Sequence, residues 1–356
     1  MAKQKKKSVS KSSHTAFTVN RAPITACLFI FVFAFLLYSN TLHHGFVMDD
    51  GAVITNHETV KKGFSGIKEL FGQSSVYGST KENFGTYRPL TMSLFAAEWS
   101  FFKGNPAGYH FIQVLLFSIL CVMIYVVLKK LLKNFSPLLP AAAALLFIAH
   151  PIHTEVAANI KSADEMLSLL FCLLALFFAV KFAETSGKRP ACFSFLFFLL
   201  ALFSKESAAT FLFIIPLALY FFLPMDLKSK RKNIITVSGL YLSALAIYFL
   251  ARNASLDNSP NGVSLINNTL AGANTFSERY ATILVILFKY LKLLFYPHPL
   301  CWDYGYNQIP LVGFGDPMAI VSLLIYIVIG IYALLVLFKS PGLKSQVSLL
   351  FVFCFS

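Results

Sequence analysis

The chain has 356 residues, 57% hydrophobic and only 13% charged, with a formal net charge of +14. Soluble domains carry about 25% charged residues, so this composition excludes an ordinary soluble fold and places the chain in a lipid bilayer. A nucleic-acid partner is excluded as well, because Lys and Arg gather at the ends of apolar runs, where they set membrane orientation.

Residues 1–21 form a polybasic tail (Lys3, Lys5, Lys6, Lys7, Lys11, Arg21) that reads as a cytoplasmic anchor. Residues 22–356 read as one transmembrane domain. Its apolar runs fall near 23–39, 108–128, 136–151, 165–182, 190–204, 207–224, 234–251, 280–296 and 317–338, and most approach the 17–20 residues that a spanning helix needs. The first run has no small-residue cleavage site behind it and is expected to be a retained span. The cysteines are scattered without a CxxC pair, which indicates neither a disulfide framework nor a zinc site.

With the N-terminus inside, the basic links 129–134, 183–189 and 225–233 also fall inside, as the positive-inside rule requires. The long loop 40–107, "HPIHTE" and "SKE" then lie outside. Within that loop "SVYGSTKENFGTY" is rich in turn residues and is expected to be a mobile, lid-like segment. The run 280–296 breaks the alternation. If it spanned, 297–315, which has no Lys or Arg, would lie inside and Lys339 outside. It is therefore expected to lie on the outer interface as an amphipathic helix, or to re-enter, leaving 252–315 exterior. The sequence stops inside an apolar run at "SLLFVFCFS" and reads as a piece of a longer protein.

Ionisable residues from separate segments collect at the exterior helix ends: Asp49, Asp50, Arg88, His110, His150, His153, Glu155, Lys161, Asp164, Glu165, Lys205 and Glu206. Charges near the hydrocarbon cost free energy and are kept where they pair or line a wet cavity. Adjacent Asp49 and Asp50 repel, so they sit in water or serve a purpose. Arg88 stands directly before Pro89, which suits a helix start. Pro151 ends or kinks the span before it. Asp164 and Glu165 open the next helix, where they would cap it or face the site. Lys205 and Glu206 follow a run of only about 22 Å. They would form a mutual ion pair at a tight hairpin, or aim a cation at a lipid-borne phosphate. His150, His153 and Glu155 cluster without further zinc spacing, so no metal site is assigned, with a divalent cation left open.

These residues, in this order, resemble a known family. The acidic pair after the first span, "YRPL", "GYHFIQVLL", "HPIHTEVAANIKSADEM", "LFSKE" and "YPHPLCWDYGYNQIPL" are similar to the membrane half of the transmembrane and tetratricopeptide-repeat O-mannosyltransferases, which are GT-C glycosyltransferases. The resemblance covers nearly the whole chain, with "HPIHTE…DE" and "SKE" its most specific parts. It implies an all-α polytopic membrane protein, a GT-C-type helical bundle with a helical-repeat region normally following. It implies an enzyme that moves a hexose, such as mannose, from a polyprenyl-phosphate carrier to a hydroxyl, protein Ser or Thr or a lipid. Transfer would occur on the non-cytoplasmic face with inversion and without a cofactor. The acidic motif would carry the base, Asp50 ahead of Asp49. Arg88, Lys161 and Lys205 would hold the donor phosphate. His110, His150, His153, Glu155, Asp164, Glu165, Glu206 and Asp303 would line the substrate pocket. The minimal loops point to a bacterial inner membrane, the endoplasmic reticulum being the alternative. A transporter and a non-catalytic membrane scaffold are the competing readings. The transporter is disfavoured because the charges gather at one face and the halves show no inverted symmetry.

Overall fold

The computed structural model describes residues 22–82, 85–256, 269–301, 304 and 307–339. The basic tail, Asp303 and the apolar end 340–356 lie outside them. Among the described residues the structure is helical and without strands. The long helices are α1 (Ala22–Tyr38), α2 (Pro89–Phe102), α3 (Pro106–Leu131), α4 (Leu138–Ala149), α5 (Ala163–Thr185), α6 (Lys188–Ser204), α7 (Phe211–Phe222), α8 (Leu227–Ser255), α9 (Phe276–Phe295) and α10 (Pro317–Lys339).

Four of these are long and apolar enough to cross a membrane: α1 with its 3₁₀ extension, α3, α5 with its leading turn, and α8. A fifth span is available if α4 and the segment Pro151–Ala158, bent by 54° at Pro151, count as one. This is fewer than the apolar runs suggest. The proline ring removes a backbone donor and clashes with the preceding turn, so α4 stops before Pro151 after 12 residues, and the run after "SKE" yields only the 12-residue α7 with Pro216 inside it. The chain is an all-α, multi-pass membrane protein.

Helix α3 is the hub. Helices α1, α4 and α5 pack on it, and α6, α7 and α8 complete a second core around α5. Helices α5 and α6 reverse through Ser186, which sits in the left-handed region at φ 53°. Ser194 on α6 and Tyr241 on α8 hydrogen-bond at 2.7 Å in the buried seam, and Ser194 donates to the Ala175 carbonyl of α5. Polar groups inside such a bundle are satisfied across helices because lipid offers them no partner.

The loop 40–107 is a packed cap of short helices. The Ser75 N–H donates to Thr86 O at 2.9 Å and the Tyr87 hydroxyl to Phe71 O at 2.8 Å. The far end of α8 holds the cap as well, through Arg252 to Gly85 O and Ser255 to Phe71 O, both at 2.9 Å. The expected mobile segment is thus tied down on both sides, apart from Asn83 and Phe84, which lie outside the described residues. Its turn-rich composition serves a close approach instead. His57 is fully buried, and burial pushes its imidazole down to about 4, so it is neutral. A Cβ on Gly78 would stand 2.3 Å from this ring. Gly78→Ala is therefore expected to cost about 1–3 kcal/mol of cap stability by overpacking. Limited proteolysis between residues 57 and 87 reads this directly, and unchanged protection would contradict it.

Helix α9 fails the spanning test by composition, carrying Glu278, Arg279, Lys289 and Lys292. It starts at a capping box formed by Thr275 and Glu278 and packs mainly on α10. Phe276, Phe295 and Tyr296 near its ends are exposed, the pattern of an amphipathic interfacial helix.

Candidate functional site

The site is built on the hinge between α4 and α5. His150 ends α4, a 3₁₀ turn spans Pro151–His153, Thr154–Ala158 makes one helical turn, and a second 3₁₀ turn, Ile160–Ser162, leads into α5. Gln113 on α3 fixes this hinge, donating to Val156 O at 2.9 Å and Asn159 O at 2.6 Å. Without that amide the carbonyls of a broken span would be left unpaired at membrane depth.

Asp49 and Asp50 arrive from the cap and are sent in opposite directions. Met48 before them has φ 47°, a conformation costly for a bulky side chain. Asp50 turns inward and is fully buried. One carboxylate oxygen accepts from Val47 N–H at 2.9 Å and the other from Lys161 N–H at 3.0 Å. Burial pushes its carboxyl above the ordinary value, opposed by those two backbone donors. Asp49 turns outward, its side chain 68% exposed, 3.8 Å from the Lys161 ammonium. Asp49 is thus the exposed carboxylate of the two, while Asp50 pins residues 47–50 to the hinge.

One turn further on lies a charged network. Buried Asp164 accepts from Arg88 at 2.5 Å and from Lys205 at 3.5 Å. Arg88 also holds Glu206 bidentately, at 3.0 and 2.6 Å, and Lys205 bonds Glu165. Lys205 and Glu206 therefore do not pair with each other. The extended backbone at Lys205 sends the neighbouring side chains apart, so each finds a partner on another element. Asp164 likewise serves the network, and makes no capping bond. Arg88 precedes α2, whose first residue is Pro89, as the sequence anticipates. Two cations and three carboxylates leave the network one negative charge in excess. Asp164 is 3% exposed, Glu165 and Glu206 nearly half exposed. The buried acid anchors the cations, and the two others are open to water on one side.

The histidines play supporting parts. His150 Nδ1 accepts from Ile152 N–H, so its Nε2 carries the proton and donates to Leu294 O at 2.9 Å, joining the hinge to the C-terminal end of α9. His153 stacks on Phe147 at 3.9 Å between centroids. His110 Nε2 lies 3.3 Å from Gly45 O, and its buried Nδ1 has no partner among the described residues. Glu155 accepts weakly from Asn159 and Ser162, at 3.5 and 3.4 Å.

A cavity of about 300 Å³ opens beside the network. Glu165, Ser168, Ser207 and Thr210 give it a polar end, and Phe117, Leu120, Phe147, Met166, Leu169 and Phe211 an apolar body between α3, α5 and α7. His153 and Val156 complete the wall. Glu165 joins the charged network to this greasy cavity, and Asp49 approaches it through Lys161, three residues before Asp164. Among the described residues no three His, Cys, Asp or Glu side chains are placed to hold a metal ion.

Sequence reasoning missed the separate fates of the two adjacent aspartates, the Gln113 brace and buried Glu98. The Glu98 carboxyl on α2, with one oxygen unpartnered, is pushed well up by burial. In the sequence Glu98 is a lone acid in an amphipathic stretch, with no signal that it turns inward.

The family model described as "Protein O-mannosyl-transferase TMTC, DUF1736" matches residues 238–330. Protein O-mannosyl-transferase F38B6.6 of Caenorhabditis elegans is 28% identical over 82% of this chain and 41% of its own length. Protein O-mannosyl-transferase tmtc2 of Xenopus laevis is 26% identical over 78% of this chain and 35% of its own. Human protein O-mannosyl-transferase TMTC3 is 33% identical over a shorter stretch, 39% of this chain and 15% of its own. The chain spans less than half the length of these relatives. No solved structure matches it.

Proposed function

Taking as premise that the chain is TMTC O-mannosyl-transferase-like, we propose that it is the membrane part of a glycosyltransferase. It moves a hexose, mannose by the relatives' names, from a polyprenyl-phosphate carrier to a protein Ser or Thr hydroxyl. The observation that carries this reading is a pair of cations held on buried Asp164 beside an apolar groove, with the exposed carboxylate of Asp49 against Lys161, three residues before Asp164.

The chemistry follows from that junction. The acceptor hydroxyl loses its proton to Asp49 as its oxygen bonds to the anomeric carbon, and the bond from that carbon to the phosphate oxygen breaks. Attack opposite the leaving group inverts the centre. The departing lipid phosphate needs positive charge and no general acid. Arg88 and Lys205 provide it once Glu165 and Glu206 yield their places, with Asp164 holding both cations still. The Lys161 ammonium keeps the Asp49 carboxylate oriented. The groove beside Glu165 takes the first isoprene units. The named relatives are animal proteins, which favours the luminal face of the endoplasmic reticulum membrane over a bacterial inner membrane.

Incubating the purified protein with a panel of polyprenyl-phosphate and nucleotide sugars tests the reading. Consumption of a polyprenyl-phosphate hexose with sugar appearing on Ser or Thr of a peptide is expected, and EDTA should leave the rate unchanged because side chains supply the positive charge. Consumption of nucleotide sugars alone, or of none, would overturn it.

A further inference from the structure

The end of the bundle opposite the candidate site carries two confluent grooves that the transfer reaction does not use. One, about 560 Å³, is lined by Lys228, Arg231, Lys232 and Ile235 at the start of α8. The other, about 550 Å³, runs between α5, α6 and α8 past Lys188, Phe182, Phe195 and Leu240. They share Thr236. Among the described residues none of Lys188, Arg189, Lys228, Arg231 and Lys232 enters an ion pair, and all five are exposed. The acids at this end are Glu184, which is paired to Lys130, and Asp226, which accepts from Ser229 N–H. Lys228 to Lys232 also sit on the first turns of α8, where the helix dipole disfavours cations, so among the described residues no ion pair offsets their mutual repulsion.

We infer that this basic mouth and apolar slot form a binding site for one anionic phospholipid. Its headgroup phosphate sits among Lys228, Arg231 and Lys232, and an acyl chain lies along Phe182, Phe195 and Leu240. Charge complementarity names the occupant. An apolar slot between spanning helices takes any acyl chain, but three unpaired cations at its mouth select a negative headgroup, by about a hundredfold if each contributes as a juxtamembrane basic residue does. Along α8 the slot runs from Thr236 to Ser243, about 10 Å at 1.5 Å per residue, long enough for the upper part of one acyl chain. Orientation by the positive-inside rule accounts for basic residues at this end, but not for the grooves that meet among them.

Native mass spectrometry of the purified protein, exchanged into phosphatidylserine, phosphatidylinositol or phosphatidylcholine, tests the site. One tightly retained anionic lipid is expected, with phosphatidylcholine about a hundredfold weaker. Lys228→Gln/Arg231→Gln/Lys232→Gln should abolish the preference. Leu240→Trp, which fills the slot and leaves every charge in place, should release the lipid too and serves as the decisive variant if the triple change inverts insertion. Equal retention of phosphatidylcholine, or an anionic lipid still bound in Leu240→Trp, would overturn the proposal. So would displacement of the lipid by millimolar inorganic phosphate, which would make this a free-anion site.

Discussion

Asp49→Asn is expected to lower sugar transfer by about 10²–10⁴-fold, the usual contribution of a general base, with no loss of thermal stability. Asp49 is exposed and its one ionic contact, Lys161 at 3.8 Å, is a loose pair of a kind that contributes little to stability. Asparagine keeps the shape and removes only the proton acceptor. Asp50→Asn makes the informative contrast. Both Asp50 oxygens accept backbone N–H groups, from Val47 and Lys161. Asparagine can satisfy only one of those donors and turns its amide toward the other. A buried donor left unpaired costs about 1–3 kcal/mol, so Asp50→Asn should lower the unfolding temperature and loosen residues 45–50 as well as slowing transfer. Hydrogen exchange across that segment separates the two variants. Full activity in Asp49→Asn, or intact protection in Asp50→Asn, would reverse the assignment made here.

Asp164→Asn is expected to be the most destabilising single change at the site, by about 3–5 kcal/mol, the range for removing one partner from a buried ion pair. Asp164 is 3% exposed and holds two cations, Arg88 and Lys205, which are themselves mostly buried at 14% and 15% exposure. Its loss leaves them attached only to Glu165 and Glu206. Glu165→Gln should cost about 1 kcal/mol or less, as a half-exposed single pair does, and Glu206→Gln more than Glu165→Gln but less than Asp164→Asn, because Glu206 holds Arg88 bidentately yet is itself half exposed. If those two acids are the groups a phosphate displaces, either change should tighten donor binding. Thermal unfolding of the three variants in one detergent measures the first claim, and donor titration the second. Equal unfolding temperatures would show that Asp164 is not the anchor.

Much of the architecture was legible in the sequence because lipid leaves few solutions. Apolar runs must become helices in hydrocarbon, so α1, α3 and α5 could be placed within a few residues, as could the break at Pro151 and the helix start after Arg88, while α8 begins at Leu227, inside the stretch that reads as a basic link. The charged 280–296 run could be set apart from the spans for the same reason. The set of residues at one end was also legible, since charge at a helix end in a membrane protein is rare enough to stand out. What linear order does not encode is direction. Asp49 and Asp50 are neighbours of one chemical type, yet a left-handed turn at Met48 sends one into the core and the other to water. Lys205 and Glu206 read equally well as a mutual pair, yet each finds its partner 40 or more residues away. Partnership and burial depend on which helices meet, and that is settled by tertiary packing, with the desolvation cost of every unpaired charge deciding who faces whom.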